Sequence, residues 1–168
     1  MPERATVERA REDEREGKSP STQAGEFVRE EIHHVREGKH GVRSTKQAIA
    51  IGLSKARRSG VKLGAPKKGR ASAQTRQKAQ RDLRKGKSAR KSTSATRSRA
   101  TSKALKREGR QAASKKSLAR QARSAAKARG PAARHQAGLK AVRTKGKVGL
   151  KRAAQKAART RASHRRAA

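Results

Sequence analysis

The sequence predicts a mostly α-helical and disordered chain: a short helix–loop–helix module followed by a long basic tail that is disordered or only nascently helical. Three observations lead there. Lys and Arg outnumber Asp and Glu by 49 to 12, and the excess is one-sided. Residues 1–37 hold ten of the acids, whereas residues 38–168 hold 42 Lys/Arg against only Asp82 and Glu108. Phe27 is the sole aromatic residue, and the large apolar residues of 71–168 are just Leu83, Leu105, Leu118, Leu139, Val142, Val148 and Leu150. Burying a large apolar side chain contributes roughly 1.5–3 kcal/mol, while ordering one residue costs about 1–2 kcal/mol in backbone entropy. On that comparison seven such side chains hold no core over 98 residues, and high charge with low hydrophobicity marks disorder.

Residues 1–17 are Glu/Arg-rich, with Pro2 near the start and Gly17 at the end. The pairs Glu8–Arg11 and Glu12–Arg15 stand at i,i+3, each worth a few tenths of a kcal/mol. This head reads as a solvated, frayed helix. The sharper alternative is an acidic head that docks on the chain's own basic parts.

Residues 18–64 read as the helix–loop–helix. Ser19-Pro20 has the pattern of an N-cap with Pro in the first turn. Ala24, Phe27, Val28, Ile32 and Val35 recur at helical spacing, and Gly38 follows as a stop. After the turn 38–43, Ser44-Thr45-Lys46-Gln47 matches the capping box S-x-x-Q. Ala48, Ile49, Gly52, Leu53 and Ala56 form an apolar stripe, and Gly60-Val61 has the form of a Schellman ending. The expected core is Phe27, Val28, Ile32, Val35, Ile49, Leu53 and Val61. It is small for a free-standing domain, so a homodimer through the helix pair or bound nucleic acid is expected to support it, with Ile51, off the stripe, as a candidate contact for either.

Residues 65–168 begin with the basic linker Ala65-Pro66-Lys67-Lys68-Gly69-Arg70 and continue as Lys/Arg/Ala/Ser-rich sequence of low complexity. Alanine favours helix, and Ser102–Arg129, closed by Gly130-Pro131, and Leu150–Ala162 are helix candidates. Like charges at i,i+4, as at Lys103–Arg107, Lys116–Arg120 and Arg123–Lys127, oppose them.

A segment with a net charge of +40 needs a polyanion before it can be compact, and the abundant polyanions of a cell are DNA and RNA. The candidate phosphate contacts are Lys46, Lys55, Arg57, Arg58, Lys62, Lys67, Lys68 and Arg70, then Lys115, Lys116, Arg120, Arg123, Lys151, Arg152, Arg165 and Arg166. No aromatic residue stands in the tail to stack bases, and phosphate contacts carry no sequence information. Largely sequence-independent, histone-like binding of double-stranded DNA is therefore expected. An RNA- or ribosome-associated basic protein is the alternative, because charge alone does not separate RNA from DNA. Lys46, Lys55, Arg57 and Arg58 flank the second helix as they would in a groove-reading helix, although phosphate-only contact fits them as well.

Other functions find little in the sequence. The absence of Cys excludes thiolate sites and disulfides. His33, His34 and His40 suggest a metal, but adjacent histidines on a helix point about 100° apart and no carboxylate is evidently placed to complete a shell, so no metal or other cofactor is expected. No catalytic set stands out, and no enzyme is expected. No apolar run approaches membrane-spanning length, and the charged N-terminus lacks the apolar region of a secretory signal. The expected location is the cytoplasm, at the nucleoid.

The segment KSPSTQAGEFVREEIHHVREGKHGVRSTKQAIAIGLSKARRSGVKL, Lys18–Leu63, resembles an uncharacterised family of small basic bacterial proteins sometimes labelled plasmid stabilization proteins. The likeness centres on STKQAIAIGLSKARR, and the Glu/Arg head also fits. No catalytic or binding residues carry over from that family. Its label implies a second function class, a regulatory or antitoxin-like interaction protein in plasmid maintenance. The tail is compositionally similar to those of linker-histone-like nucleoid proteins but lacks their proline-spaced S/T-P-K-K pattern.

Overall fold

The computed structural model describes residues 2–88 and 94–166. They form two compact units, residues 1–121 and 122–168. All regular structure among them is helical: α1 (Arg4–Arg15), α2 (Pro20–Arg36), α3 (Thr45–Arg58), α4 (Ala73–Lys87), α5 (Ala95–Lys106), a 3-10 turn (Gln111–Ala113) and α6 (Lys115–Arg166).

The pair α2–α3 forms where helix signals agree with apolar spacing. Pro20 occupies the first turn of α2, where its missing N–H is no loss. Ser19 is extended as an N-cap should be, but its hydroxyl contacts those of Ser21 and Thr22 and makes no cap hydrogen bond to the backbone. Ser44 does cap α3, its Oγ accepting from the Gln47 N–H at 3.2 Å. The return arm of the expected capping box goes elsewhere: Gln47 Oε1 accepts from the Arg43 N–H at 2.9 Å. Gly60 ends α3 with φ +99°, and the Val61 N–H donates back to the Ala56 carbonyl at 3.1 Å.

The two helices cross at Gly52, where a Cβ would lie 2.7 Å from the Val28 Cα. On one side of the crossing Ile32, Val35, Val42, Ala48 and Ala113 are buried together, with Val28, Ile51, Ala112 and Leu118 packed against them. On the other lie Ala10, Ala24, Phe27 and Ala56, with Val7, Leu53, Val61 and Leu63 around them. Of the expected core, Phe27, Ile32 and Val35 are buried, whereas Val28, Ile49, Leu53 and Val61 are half-buried. Ile51, read from sequence as an intermolecular contact, packs within its own chain.

The head is not a frayed, solvated helix. Thr6 and Ala10 of α1 are buried, and Ala10 joins the Phe27 cluster. Arg9 Nε lies 2.7 Å from Glu26 Oε2, and the Glu3 N–H donates to Glu30 Oε2 at 3.1 Å. At the α1–α2 turn Lys18 pairs with Asp13 and Glu16, and the Asp13 carboxylate above all raises its ammonium pKa.

The expectation of a long tail, disordered or only nascently helical, is overturned, for two physical reasons. First, much of 65–118 folds onto the helix pair through small and polar groups. Ser72 Oγ caps α4, accepting from the Thr75 N–H at 3.2 Å. The buried Asp82 accepts from Ser54 Oγ at 2.7 Å and from Arg58 Nε at 2.9 Å. Gly86 approaches α3 so closely that a Cβ there would lie 2.2 Å from the Arg57 carbonyl oxygen. Farther on, the Leu105 and Gly109 carbonyls accept from the Gly41 and Val42 N–H groups at 2.9 and 3.0 Å. The Ala112 and Ala113 carbonyls accept from Thr45 Oγ1 at 2.6 Å and Arg36 Nε at 2.8 Å.

Second, α6 needs no core to be helical. Ala, Lys and Arg are among the best helix formers, and a like-charge i,i+4 pair opposes helix by only a few tenths of a kcal/mol. Helix therefore spans 115–166, with non-helical backbone only at Gly130 (φ 77°, ψ 167°) and Gly146 (φ 62°, ψ 177°). The candidate segment Ser102–Arg129 is divided differently: α5 ends at Lys106 and α6 begins at Lys115.

Candidate nucleic-acid interface

Between Lys115 and Arg166 the chain carries 18 Lys/Arg and no Asp or Glu. Ser114 starts α6, its Oγ accepting from the Ser117 N–H at 3.2 Å, and Leu118 on the first turns packs against the Val35 cluster. Lys116, Arg120, Arg123 and Lys127 then recur at i, i+4, i+7 and i+11, one face of a helix, and all four are exposed. Lys115, Lys151, Arg152 and Arg165 are exposed too; the side chain of Arg166 lies outside the described residues. These ammonium and guanidinium groups are suited to phosphate oxygens. Lys46, Lys62, Lys67, Lys68 and Arg70 add exposed cations nearer the helix pair, with Lys62 Nζ 3.7 Å from Glu14 Oε1.

The second helix of the pair does not present the cationic face expected of it. Three of its four candidate contacts are paired within the chain, although Arg58 stays exposed. Arg57 is only 7% exposed; its Nε donates to the Leu63 carbonyl at 3.1 Å and its guanidinium also reaches the Gly64 carbonyl. Burial pushes its pKa down, against the opposing pull of Asp82. Arg58 Nε is held by Asp82 at 2.9 Å. Lys55 Nζ lies 2.7 Å from Glu31 Oε2 and 3.3 Å from Glu30 Oε1. Lys46 alone of the four is exposed without being tied to an acid among the described residues.

Lys55 marks a buried polar cluster that the sequence did not disclose. The side chains of Glu30 and Glu31 on α2 are 2% and 1% exposed. His40, in the turn after α2, places Nε2 3.3 Å from Glu31 Oε1, and its Nδ1 lies 3.1 Å from the Gly41 carbonyl oxygen. His34 places Nε2 2.8 Å from Glu3 Oε1 and Nδ1 3.9 Å from Glu30 Oε1. One donor atom from each of Glu31, His34 and His40 lies within 4.8 Å of the others. The carboxylate that seemed to be missing is Glu31, brought to His40 because the chain reverses at Gly38 (φ +79°). Hydrogen bonds from His34 and then Lys39 hold the Glu3 carboxyl below the usual carboxylate range.

Residues 15–69 match a family of unknown function, DUF6496. The matched segment contains α2 and α3 and stops short of α4. No curated protein and no solved structure matches the chain. Among the described residues no helix is long and apolar enough to cross a membrane.

Proposed function

We propose that this protein is a histone-like, sequence-tolerant binder of double-stranded DNA that acts at the nucleoid through phosphate neutralisation. The observation that carries this reading is α6, whose helical stretches, broken at Gly130 and Gly146, are rich in exposed cations with no acid in 52 residues. Such a surface displaces counterions condensed on the duplex, so log K falls with log salt at about −0.9 per phosphate contact. Tail residues 71–168 contain no aromatic side chain, which favours backbone contact over base stacking.

The helix pair is a scaffold in this reading, because Arg57 is buried, Lys55 is held by Glu30 and Glu31, and the exposed Arg58 is paired with Asp82. The test is duplex affinity across a salt series, for the full chain and for residues 1–121. The full chain is expected to bind unrelated sequences alike, with a slope steeper than that of 1–121 by at least about 4. Equal slopes for the two chains, or a clear preference for structured RNA at matched salt, would overturn the reading.

A further inference from the structure

We propose that Glu31, His34 and His40 form a binding site for a divalent metal ion of the zinc class. The inference does not rest on the DNA reading.

Its starting point is charge. Glu30 and Glu31 are both buried, and Lys55 is the ammonium that reaches both. Lys55 Nζ takes Oε2 of Glu31, which leaves Oε1 facing His40 Nε2 at 3.3 Å. Neither Glu31 oxygen has an aligned hydrogen-bond donor among the described residues. With one ammonium shared between two buried carboxylates, a negative charge is left uncompensated unless a further cation completes the site.

The ring nitrogens point to what that cation is. A carbonyl oxygen only accepts, so His40 Nδ1, 3.1 Å from the Gly41 carbonyl, is the protonated nitrogen. Its Nε2 then carries a lone pair directed at Glu31 Oε1. A lone pair set against a carboxylate oxygen is repulsive unless a positive centre lies between them. His34 repeats the arrangement: its Nε2 donates to Glu3 Oε1 at 2.8 Å, leaving Nδ1 with the lone pair. Each imidazole thus anchors its N–H on an outer oxygen and keeps its other nitrogen free to coordinate, the usual disposition of metal-bound histidines. Two imidazoles and one carboxylate are a donor set that suits zinc, with a further position for water. A proton on His40 Nε2 would also pair it with Glu31 Oε1, and zinc titration separates the two arrangements.

The test uses the full chain, free of affinity tags, nuclease-treated and stripped with chelator at high salt. Zn(II) is titrated calorimetrically, and Co(II) is followed by its visible ligand-field absorption. One ion is expected per chain. His34→Gln and His40→Gln should each weaken zinc binding by at least about tenfold, whereas His33→Gln, at the exposed neighbour on α2, should leave it unchanged. Glu31→Gln should also lose the Co(II) signal; should that variant fail to fold, His40→Gln, in the turn, keeps the test intact. Non-saturable uptake, or equal losses from His33→Gln and His34→Gln, would overturn the proposal. So would His40 ring NMR resonances that respond to pH but stay in place on adding zinc, which would identify a Glu31–imidazolium pair instead.

Discussion

Gly52 of α3 packs directly on the backbone of Val28 in α2: a Cβ at position 52 would meet the Val28 Cα at 2.7 Å and its N at 2.9 Å. Both partners are backbone, so neither can turn aside. Gly52→Ala removes a helix-interior glycine, worth roughly 0.5–1 kcal/mol, but it overpacks the crossing, which costs about 1–3 kcal/mol. Overpacking wins, and a net loss of about 1–2 kcal/mol is expected in urea unfolding. Gly25→Ala, at an exposed site in α2 with nothing within 4 Å, should instead stabilise by about 0.5–1 kcal/mol. Equal effects from the two substitutions would contradict the close crossing.

Asp82 is one of two acids after residue 37, and it is buried between Ser54 and Arg58. Asp82→Ala should destabilise by about 1–3 kcal/mol, because Ser54 loses its acceptor and Arg58 its carboxylate. Hydrogen exchange should speed up in α4 while the amides of α2 change least. Unchanged exchange in α4 would show that Asp82 does not dock this helix.

Gly41 has no room for a side chain either, since a Cβ would lie 1.8 Å from the Glu108 carbonyl oxygen. Gly41→Ala should push residues 105–110 away from the 38–43 turn. The amides of residue 41 and Val42 then lose their acceptors, for about 1–2 kcal/mol, near tenfold in exchange protection. Native protection at Val42 in this variant would exclude the contact.

Replacing Lys116, Arg120, Arg123 and Lys127 together by Gln should flatten the salt dependence of duplex binding by about 3–4, if each meets one phosphate. The loss should be uniform across DNA sequences. Gln preserves helix propensity, so circular dichroism should be unchanged. An effect confined to one sequence would point to base contacts.

The helix pair was legible because its signals reinforce one another: the apolar spacing of Phe27, Ile32 and Val35, the Ser44 cap and the Gly60 stop all mark the same two helices. The folding of 65–166 was not legible from large apolar residues, because burial here falls mainly to alanine. Among the described residues, six of the ten buried apolar ones are Ala, including Ala79 and Ala113 in the supposed tail. Signals for that region did exist: Ser72 and Ser114 each precede a hydroxyl residue by three positions, and Asp82 is a lone acid amid cations. The buried cluster escaped notice because Glu31 and His40 stand nine positions apart across a turn whose path only the fold supplies. The excess of cations marked α6 as the candidate interface, but charge could not reveal that Lys55, Arg57 and Arg58 are committed elsewhere.

The hydrogen bonds from Gly41 and Val42 to the Leu105 and Gly109 carbonyls also set a timetable for synthesis. These donors leave the ribosome roughly 65 residues ahead of their acceptors, an interval of about 3–13 s at ordinary elongation rates. Throughout it the Val35 cluster lacks Ala113 and Leu118. A nascent chain stalled before residue 105 therefore holds both helices of the pair with one side of their core uncovered.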